Sequence, residues 1–351
     1  PIFHWIRAYL QNRRQWVVIN NTFSTWHQVP AGVPQGSVLG PLLYLIYTHD
    51  LPYAIKDEAV KCDQFADDTA LISTSHTHHD AHAQLQSGVH DAGAWLLDWR
   101  LLANKEKTAI MEIHRHPHNL PASLPIYLYS TALTRTRQQK HLGLIVSDDL
   151  RWSSHVDNVI CKANRLLGVM RRLRSSLTTQ ALSVFYLVYI RPIIEYGSVV
   201  WSNIPTTISD RLERLQRRAA RIALGLPLFA PTSHGALLQK LGWPTLSSRR
   251  RLHQAILGYK LFKKQVPPHL LTVAFQHRDL DYNLRSMCRF ATPFARTKAF
   301  QHSPLYQCST VFNELPASIK LNSASQSAFI RSASEHLLST KCTCSSHAFP
   351  H

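Results

Sequence analysis

Two neighbouring carboxylates, Asp67 and Asp68, lie in the segment DQFADDTALI between two short apolar runs. Two ionised carboxylates this close repel each other, and a bound cation removes the repulsion. Mg²⁺ takes carboxylate oxygens as ligands and leaves coordination positions open for phosphate oxygens. The pair therefore indicates a metal site for phosphoryl transfer, although an Asp-Asp pair at a turn is more often simply solvated.

A second candidate piece is the turn-rich segment AGVPQGSVLGP, which precedes the carboxylates and contains Gln35 and Gly36. Glycine lets the backbone approach a ligand closely, and the Gln35 amide can hydrogen-bond a nucleotide or template edge. A helix that begins near Ser37 would direct its first amide groups at an anion or a sugar. The alternative is an ordinary turn at the entry of a helix.

A third candidate piece is NKEKT, with Asn104 and Lys107. A lysine here could meet a pyrophosphate leaving group as a point charge or as a proton donor. A single lysine is also what any solvated surface carries, so this segment is weak evidence when taken alone.

The elements around these residues mix helices and strands. AVKCDQFA and TALISTS alternate as two strands that meet at the two carboxylates, the pattern of a hairpin. We expect helices in residues 2–10, in LLYLIYTHDLP up to Pro52, and in HDAHAQLQSGVHDAGAWLLDWRLLAN despite its two glycines. QWVVIN, KTAIMEIHR and KHLGLIVSDD are expected to be further strands.

The pattern changes to helices from about residue 153, and the charge changes with it. Residues 1–150 carry 12 Lys and Arg against 13 Asp and Glu, whereas residues 151–264 carry 19 against 4. So basic a segment favours a polyanion as its partner, and nucleic acid is the commonest one. We predict three parts: residues 1–150, a basic helical part over 151–264, and a mixed part over 265–351.

Six scattered cysteines show no disulfide spacing, which favours a reducing intracellular compartment, nuclear or cytoplasmic. The longest apolar run, VFYLVYI, is far shorter than the roughly 20 residues that span a bilayer, so no membrane partner is expected. The chain starts at Pro1 rather than Met, and we expect it to be part of a longer protein.

The motifs taken together and in order resemble the reverse transcriptases of non-LTR (LINE-type) retrotransposons. The resemblance rests on VPQGSVLGPLLYLIYTHDLP, FADDTAL, LLANKEKT and KHLGLIVSDDLRWSSHV. It continues through LVYIRPIIEYGSVVW, RLERLQRRAARIALG and VFNELPASI, and so covers nearly the whole chain.

This resemblance implies an α+β fold, with a partial right-hand polymerase palm followed by a mostly α-helical thumb and a C-terminal region. It also implies RNA-directed DNA synthesis, a nucleotidyl transfer that uses Mg²⁺ or Mn²⁺, dNTPs, an RNA template and a DNA primer. Asp67 would be the main metal ligand of its motif and Asp68 would assist. Gln35 and Gly36 would border the incoming nucleotide, Lys107 would lie near its phosphates, and Phe65 would pack beside the nascent base pair.

One departure from the family pattern concerns the metal site, which in the family uses a third aspartate from an earlier strand. No Asp or Glu precedes Asp50, and Asp50 itself stands in THDLP, the wrong place. Two carboxylates are too few to fix two ions. We therefore expect the N-terminal polymerase portion to be missing and the chain to be inactive alone; the alternative is a non-catalytic nucleic-acid-binding remnant that uses the basic helical half.

The basic helical part supplies the candidate nucleic-acid contacts. Arginines in a thumb could meet phosphates without reading sequence; the candidates are Arg171, Arg172, Arg174, Arg217, Arg218 and Arg221. Solvated surface is the alternative for them. Trp201 and Trp243 could stack on bases, but we expect both to be core residues.

Histidine-rich and cysteine-containing segments allow a third, weaker hypothesis of a metal-binding interaction protein. The histidines lie in SHTHHDAH and HRHPHN, and the chain ends in CTCSSHAFPH, with Cys342, Cys344, His347 and His351. The C-x-C spacing is tighter than usual for zinc, so we expect biased loops and a frayed terminus.

Overall fold

A computed structural model describes residues 1–114, 124–227, 231–273, 290, 295–321 and 325–339. The chain divides into two compact units, residues 1–137 (unit 1) and 138–351 (unit 2). Helices and small two-stranded sheets occur together, which confirms the expected mixed α+β class in its coarse form. The division into 1–150, 151–264 and 265–351 stays a prediction.

Unit 1 combines four helices with short strands. The helices are α1 (Ile2–Leu10), α2 (Gly40–Thr48), α3 (Leu51–Ala54) and α4 (His78–Asp98). The strands are β1 (Arg14–Gln15), β2 (Val18–Ile19), β3 (Thr22–Phe23), β4 (His27–Gln28), β5 (Val60–Phe65), β6 (Asp68–Ser73), β7 (Ala109–Ile110), β8 (Tyr127–Leu128), β9 (Thr131–Ala132) and β10 (Thr134–Arg135).

The segment expected as one strand, QWVVIN, forms half of an irregular hairpin instead. Strand β1 pairs with β4 and β2 pairs with β3, both antiparallel. Two residues on one side, 16 and 17, face three on the other, so the ladder is broken by a bulge. Asn20 and Asn21 close the hairpin with positive φ angles of 49° and 60°, a conformation that asparagine tolerates in two-residue turns.

Helix α4 packs against β5 and β6. Its two glycines do not prevent the helix, and one of them has a packing role. A Cβ on Gly88 would lie 2.8 Å from a methyl carbon of Val60, so the glycine permits close packing of α4 on β5. The Thr77 hydroxyl caps the helix by accepting from the Asp80 amide. Buried Leu51, Ala92 and Trp95 form the small core here, with half-buried Cys62 and Leu71 of the hairpin against it.

The segment KTAIMEIHR was expected to be a strand, but among its described residues only β7 is extended and paired. Strand β7 lies parallel to β10, and β8 pairs with β9. A second small core of Ile110, Ile126, Leu128 and Leu133 holds these pieces together. Two residues of paired backbone satisfy few amide groups, so this part depends on its apolar contacts.

Unit 2 is mostly helical. It begins with the strands β11 (Gln138–His141) and β12 (Leu144–Ser147). The long helices are α5 (Ser153–Arg172), α9 (Thr206–Leu224), α11 (Leu246–Phe262) and α16 (Gln326–Ser339). The shorter helices are α6 (Thr179–Phe185), α7 (Arg191–Glu195), α8 (Ser198–Trp201), α10 (His234–Leu241), α12 (Pro268–Val273), α13 (Lys298–Gln301), α14 (Pro304–Glu314) and α15 (Ala317–Leu321).

The segment KHLGLIVSDD is a hairpin rather than the single strand expected. Strands β11 and β12 are antiparallel, and Leu142 and Gly143 turn the chain with positive φ angles of 45° and 84°. The Tyr196 hydroxyl donates to the Leu142 carbonyl at 2.8 Å, which fixes this turn against the end of α7. Glycine signals the turn, but the alternating apolar pattern continues through it, so the pattern alone suggests one strand.

A continuous apolar core spans α5 to α11. Leu212, Leu215 and Ala219 of α9 are buried in it, and Gly225 ends that helix in the left-handed conformation that favours glycine. Trp201 and Trp243 are also buried, which confirms them as core residues. A second buried cluster joins α11, α14 and α16.

In the described part of the chain, Cys62, Cys161 and Cys308 are free thiols. Burial raises the pKa of the Cys308 thiol to about 12, so it stays protonated as a small apolar side chain. Within the same residues, every helix is too short or too polar to span a lipid bilayer.

Candidate active site

The two carboxylates lie at the tip of the β5–β6 hairpin. Six antiparallel pairs run from Val60 and Ser73 to Phe65 and Asp68, which leaves Ala66 and Asp67 as a two-residue turn. Ala66 has a φ of 54°, a left-handed conformation that costs a residue with a Cβ about 1–2 kcal/mol. The hairpin is therefore the element predicted from the alternating pattern, with local strain at its tip.

Asp67, Asp68 and Phe65 are all exposed at this tip, and the Phe65 side chain is 65% accessible. Water screens the two like charges, so their proximity costs less than it would in a buried site. Further from the tip, the half-buried Cys62 and Leu71 side chains of the hairpin pack on the core. A cation could therefore bind the carboxylate oxygens, and a ligand could contact the Phe65 ring, without a change in the fold of the hairpin.

Tyr44, on α2, connects this tip with the helix that follows the glycine-rich segment. Burial raises the pKa of the Tyr44 phenol, and the negative charge of Asp67 raises it further. The phenol therefore stays protonated at neutral pH and lies within the field of Asp67. Sequence reasoning missed Tyr44, because no spacing rule distinguishes it from Tyr47 on the same short helix.

The glycine-rich segment reaches its helix later than expected. Helix α2 begins at Gly40 rather than near Ser37, and its start does not offer the row of amide groups expected for anion binding, because the Gly40 amide donates to Ser37 and Pro41 has no N–H. The Ser37 hydroxyl donates to the Pro34 carbonyl at 2.7 Å and accepts from the Gly40 amide at 3.0 Å. A Cβ on Gly40 would lie 2.9 Å from the Ser37 Oγ, so this compact turn requires glycine.

Gln35 and Gly36 lie on the open part of this turn. Both are exposed, and Gly36 has a φ of 79°, the region that favours glycine. Space around Gly36 is open, with nothing within 4 Å of an added Cβ. The backbone at Gly36 can therefore be approached closely by a ligand, as the sequence suggested.

Arg13 fixes the start of the same turn. Its guanidinium donates to the carbonyls of Ala31 and Gly32, at 3.2 and 2.5 Å, and to the Leu10 carbonyl at 2.9 Å. One side chain thus ties α1, the β1–β4 hairpin and the turn together. This role was not predicted, since Arg13 stands far from the motif in a basic pair that suggests only surface charge.

Lys107 lies on a separate exposed loop of unit 1. The Asn104 Oδ1 accepts from the amides of Glu106 and Lys107, at 3.0 and 3.2 Å, and this Asx turn shapes the loop. Lys105 bonds the Thr131 hydroxyl at 2.9 Å, whereas the Lys107 side chain is exposed to solvent. Asn104 therefore organises the loop, and Lys107 remains the candidate for phosphate contact.

The six candidate arginines lie in unit 2, on or just after α5 and on α9. Arg171, Arg172, Arg174 and Arg218 are exposed, and Arg217 and Arg221 are half-buried. Arg211 pairs with Asp157, and Arg218 donates to Asn164 at 3.1 Å. From the first contact to the second, the position moves toward the C-terminus by the same number of residues on both helices. Helices α5 and α9 therefore run side by side in the same direction.

Within the described ranges, no three or more His, Cys, Asp or Glu side chains are grouped so that they could hold a metal ion. Asp67 and Asp68 are a pair. Within the histidine-rich segment, His78 lies 3.4 Å from Glu112 and His82 contacts the Leu124 carbonyl at 2.6 Å. The candidate zinc ligands Cys342, Cys344, His347 and His351, and also His116 and His118, lie outside the described residues.

Comparison with known proteins gives the family. A family profile described as "Reverse transcriptase (RNA-dependent DNA polymerase)" matches residues 1–146, which include the hairpin tip, the glycine-rich turn and Lys107. The probable RNA-directed DNA polymerase from transposon BS of Drosophila melanogaster is 31% identical over 281 residues, 74% of this chain and 31% of that protein.

Two more relatives from Drosophila melanogaster agree. The probable RNA-directed DNA polymerase from transposon X-element is 29% identical, and that from mobile element jockey is 26% identical; each match covers 65% of this chain and 25% of the relative. The chain thus spans about a third or less of the length of the curated relatives it matches. Residues 1–146 belong to the reverse transcriptase family, and the similarity to the RNA-directed DNA polymerases of these transposons and mobile elements covers 65–74% of the chain.

Proposed function

We propose that this chain is part of an RNA-directed DNA polymerase that adds dNTPs to a DNA primer on an RNA template. The observation that carries the proposal is the pair Asp67 and Asp68, exposed at the tip of a supported hairpin within the family match. In this proposal unit 1 contains part of a right-hand polymerase palm, and the α5–α9 part of unit 2 serves as the thumb.

The donor set fits Mg²⁺ or Mn²⁺, since carboxylate oxygens are hard ligands and both side chains are accessible. Asp67 would be the main ligand and Asp68 would assist. When bound, the ions would supply charge neutralisation at the attacking and leaving oxygens of the phosphoryl transfer.

The remaining residues of unit 1 would position the nucleotide. Gln35 and the open backbone at Gly36 would border its base or sugar, because both are exposed and nothing crowds the glycine. Phe65 would pack beside the new base pair with its exposed ring. Lys107 would place a positive charge near the phosphates.

The arginines of α5 and α9 would hold the template and primer through their phosphates. Such contacts give affinity without sequence preference and weaken steeply with salt. Arg171, Arg172, Arg174 and Arg218 are the accessible members of the set. The half-buried Arg217 and Arg221 would contribute less.

A second candidate is a non-catalytic nucleic-acid-binding remnant. The observation that favours it is the carboxylate count, since the tip carries two acids and the family mechanism requires another. This alternative keeps the basic helices and loses the chemistry.

Primer extension distinguishes the two candidates. We would measure Mg²⁺-dependent synthesis on a primed RNA template with the purified chain and with the longest polypeptide that its gene encodes. The polymerase proposal expects synthesis by the longer protein, and Asp67→Asn should lower it at least ~100-fold without unfolding the hairpin. Synthesis by neither protein, with nucleic-acid binding intact, favours the remnant.

A further inference from the structure

The irregular hairpin between Arg14 and Gln28 presents an aromatic cluster to solvent. Trp16 stacks on Trp26, with ring centroids 4.2 Å apart and planes inclined by 18°, and contacts Phe23 at 4.9 Å. The three side chains remain 45%, 55% and 57% exposed for Trp16, Trp26 and Phe23. Neither the metal chemistry nor the roles proposed for Gln35 and Lys107 use this cluster.

Part of the cluster has a purely structural explanation. Extending the β1–β4 register by one pair places Trp16 opposite Trp26, and a cross-strand aromatic pair stabilises a hairpin. That explains the contact between the rings but not their exposure. Three large aromatic side chains about half open to water form an apolar patch of the kind that marks a binding surface.

The hairpin is tied to the candidate active site through Arg13. Its guanidinium bonds the carbonyls of Ala31 and Gly32, immediately before the turn that carries Gln35 and Gly36. The backbone amide of Val29 also donates to the Arg13 carbonyl at 2.9 Å, at the base of the hairpin. The hydrogen bonds of Arg13 therefore link the hairpin that carries the aromatic cluster to the start of the proposed nucleotide-binding turn.

Charge decides which partner fits. The first 49 residues contain three arginines, Arg7, Arg13 and Arg14, and no Asp or Glu, so nothing acidic along this segment repels phosphate. Arg7 and Arg14 are exposed. Sites for single-stranded nucleic acid combine such positive charge with aromatic rings on which successive bases stack, and a purely apolar protein partner would gain nothing from the cations.

We propose that Trp16, Trp26 and Phe23 form a stacking platform for unpaired bases of a single-stranded nucleic acid. The platform rests on the proposed function, since it would receive the template strand next to the nucleotide-binding turn. It adds a partner-binding surface to the polymerase reading and assigns a role to residues outside the family's metal motif. Arg14 would meet the phosphate of a stacked nucleotide.

The test uses the purified chain without metal or dNTPs. We would titrate it with a short labelled oligouridylate and with an RNA duplex of the same length, and follow anisotropy and tryptophan fluorescence. The wild type should bind the single strand with quenching of its tryptophan emission, because bases stacked on indole rings quench them. The double variant Trp16→Leu/Trp26→Leu should bind the single strand on the order of 10-fold or more weakly and lose the quenching.

Two further variants are controls that distinguish loss of the stacking surface from unfolding of the hairpin. Trp16→Tyr/Trp26→Tyr keeps two rings on facing strands, so it should bind the single strand nearly as well as the wild type. Trp5→Leu removes another exposed indole of unit 1, on α1, and should leave single-strand affinity unchanged. Binding of the duplex should change little in every variant, because paired bases offer no free faces to the rings.

Several results would overturn the platform. Equal single-strand affinity of the wild type and the double leucine variant would do so, and so would equal losses for single strand and duplex. If the cluster instead joins two copies of the chain, the leucine variant would sediment as a smaller species with its oligonucleotide affinity intact. The variant Asp67→Asn should bind like the wild type, so loss of catalysis and loss of the platform are separate outcomes.

Discussion

Units 1 and 2 place their charged and aromatic side chains in opposite ways. In unit 1 the candidate functional side chains are exposed on turns and short hairpins, which lie over small buried clusters; Asp67, Lys107 and Trp16 are examples. In unit 2 a continuous apolar core encloses Trp201 and Trp243, and the mostly buried Glu195 and Glu213 are paired within the chain. Exposed side chains on a supported turn are available to a ligand, whereas enclosed ones are committed to the fold.

Two mostly buried glutamates of unit 2 have structural partners within the chain. The Glu195 carboxylate is mostly buried and binds the Arg249 guanidinium through two nitrogen atoms. The Glu213 carboxylate accepts from the Ser247 amide in the first turn of α11 at 2.9 Å and contacts His234 at 3.1 Å. An acid at the N-terminal end of a helix stabilises it, so Glu213 is structural, and Glu195 is structural through its ion pair with Arg249. Asp67 and Asp68 in unit 1 stand at an open tip instead.

The largest expected effect compares an enclosed aromatic residue with an exposed one. Trp201 is 0% exposed and its indole donates to the Tyr196 carbonyl at 2.9 Å, whereas Phe65 is 65% exposed. Trp201→Ala should lower the free energy of unfolding of unit 2 by ~3–5 kcal/mol, from lost burial and the cavity left behind. Phe65→Ala should change stability by less than about 0.5 kcal/mol.

Chemical denaturation combined with amide hydrogen exchange of α5 and of the β5–β6 hairpin measures the two effects separately. A Trp201→Phe variant is the matched control and should lose less than the alanine variant, because it keeps most of the buried area. If Phe65→Ala destabilised its hairpin as strongly as Trp201→Ala destabilises unit 2, the contrast between the units would be wrong.

The next prediction concerns the pH dependence of unit 2. Burial lowers the pKa of the His155 imidazole below its ordinary value of 6.5, and Lys162 lowers it further. The ring accepts at Nδ1 from the Ile145 amide, a bond that protonation at Nδ1 would remove. The unfolded chain therefore binds the proton first as the pH falls, so this stabilisation is complete above about pH 6.5 and is lost through the folded-state pKa below it.

His253 acts in the same direction, since burial is the main cause that lowers its pKa and its Nδ1 contacts the Ser198 hydroxyl. The thermal unfolding midpoint of unit 2 should therefore fall on acidification. A His155→Gln variant removes one titrating group, so its unfolding midpoint should fall less between neutral and mildly acidic pH. An identical pH profile for variant and wild type would show that His155 does not contribute.

A smaller effect tests the tip of the unit 1 hairpin. Ala66 adopts a φ of 54°, and glycine takes this conformation without the steric cost of a Cβ. Ala66→Gly should therefore stabilise the hairpin by about 0.5–1 kcal/mol, and Ala66→Val should destabilise it. Hydrogen exchange of the amides in β5 and β6 would report both changes. Equal protection in the glycine and valine variants would contradict the strain at this tip.

Sequence reasoning predicted the elements whose pattern is local. The alternation on either side of Asp67 and Asp68 predicted the hairpin, and the change of pattern near residue 153 predicted the helices that follow it. The carboxylate pair, the turn at Gly36 and Lys107 could be chosen as candidates because each belongs to a short motif of recognisable residue types. Their exposure comes from the structure, and their roles stay predictions.

The features that sequence reasoning missed depend on contacts between distant residues. Nothing in the residues around Arg13 predicts that it holds the carbonyls of Ala31 and Gly32, or that the charge of Asp67 raises the pKa of Tyr44. The strand predictions failed at bulges and tight turns, where one inserted residue breaks a ladder without disturbing the apolar pattern. The later start of α2 follows from the Ser37 hydroxyl, which serves the Gly40 amide in place of a helical turn.

The smallest expected effect on stability concerns an exposed arginine of unit 2. The prediction tests whether this arginine contacts a ligand, as proposed for the exposed groups of unit 1. Arg218 is exposed on α9 and its single described partner is the Asn164 side chain. Arg218→Gln should change unfolding by less than about 0.5 kcal/mol, because a surface contact contributes little. It should nevertheless lower the slope of log affinity against log salt concentration by about one for single-stranded and duplex RNA alike.

Arg218→Lys keeps the charge and loses the planar contact with Asn164, so its salt slope should match the wild type. This pair of variants separates charge from geometry at one position. If the glutamine variant kept the full slope, Arg218 would be committed to α5 through Asn164, like the glutamates of the core, and the phosphate contacts would have to come from Arg171, Arg172 and Arg174. The contrast between an open unit 1 and a closed unit 2 would then extend to the surface of α9.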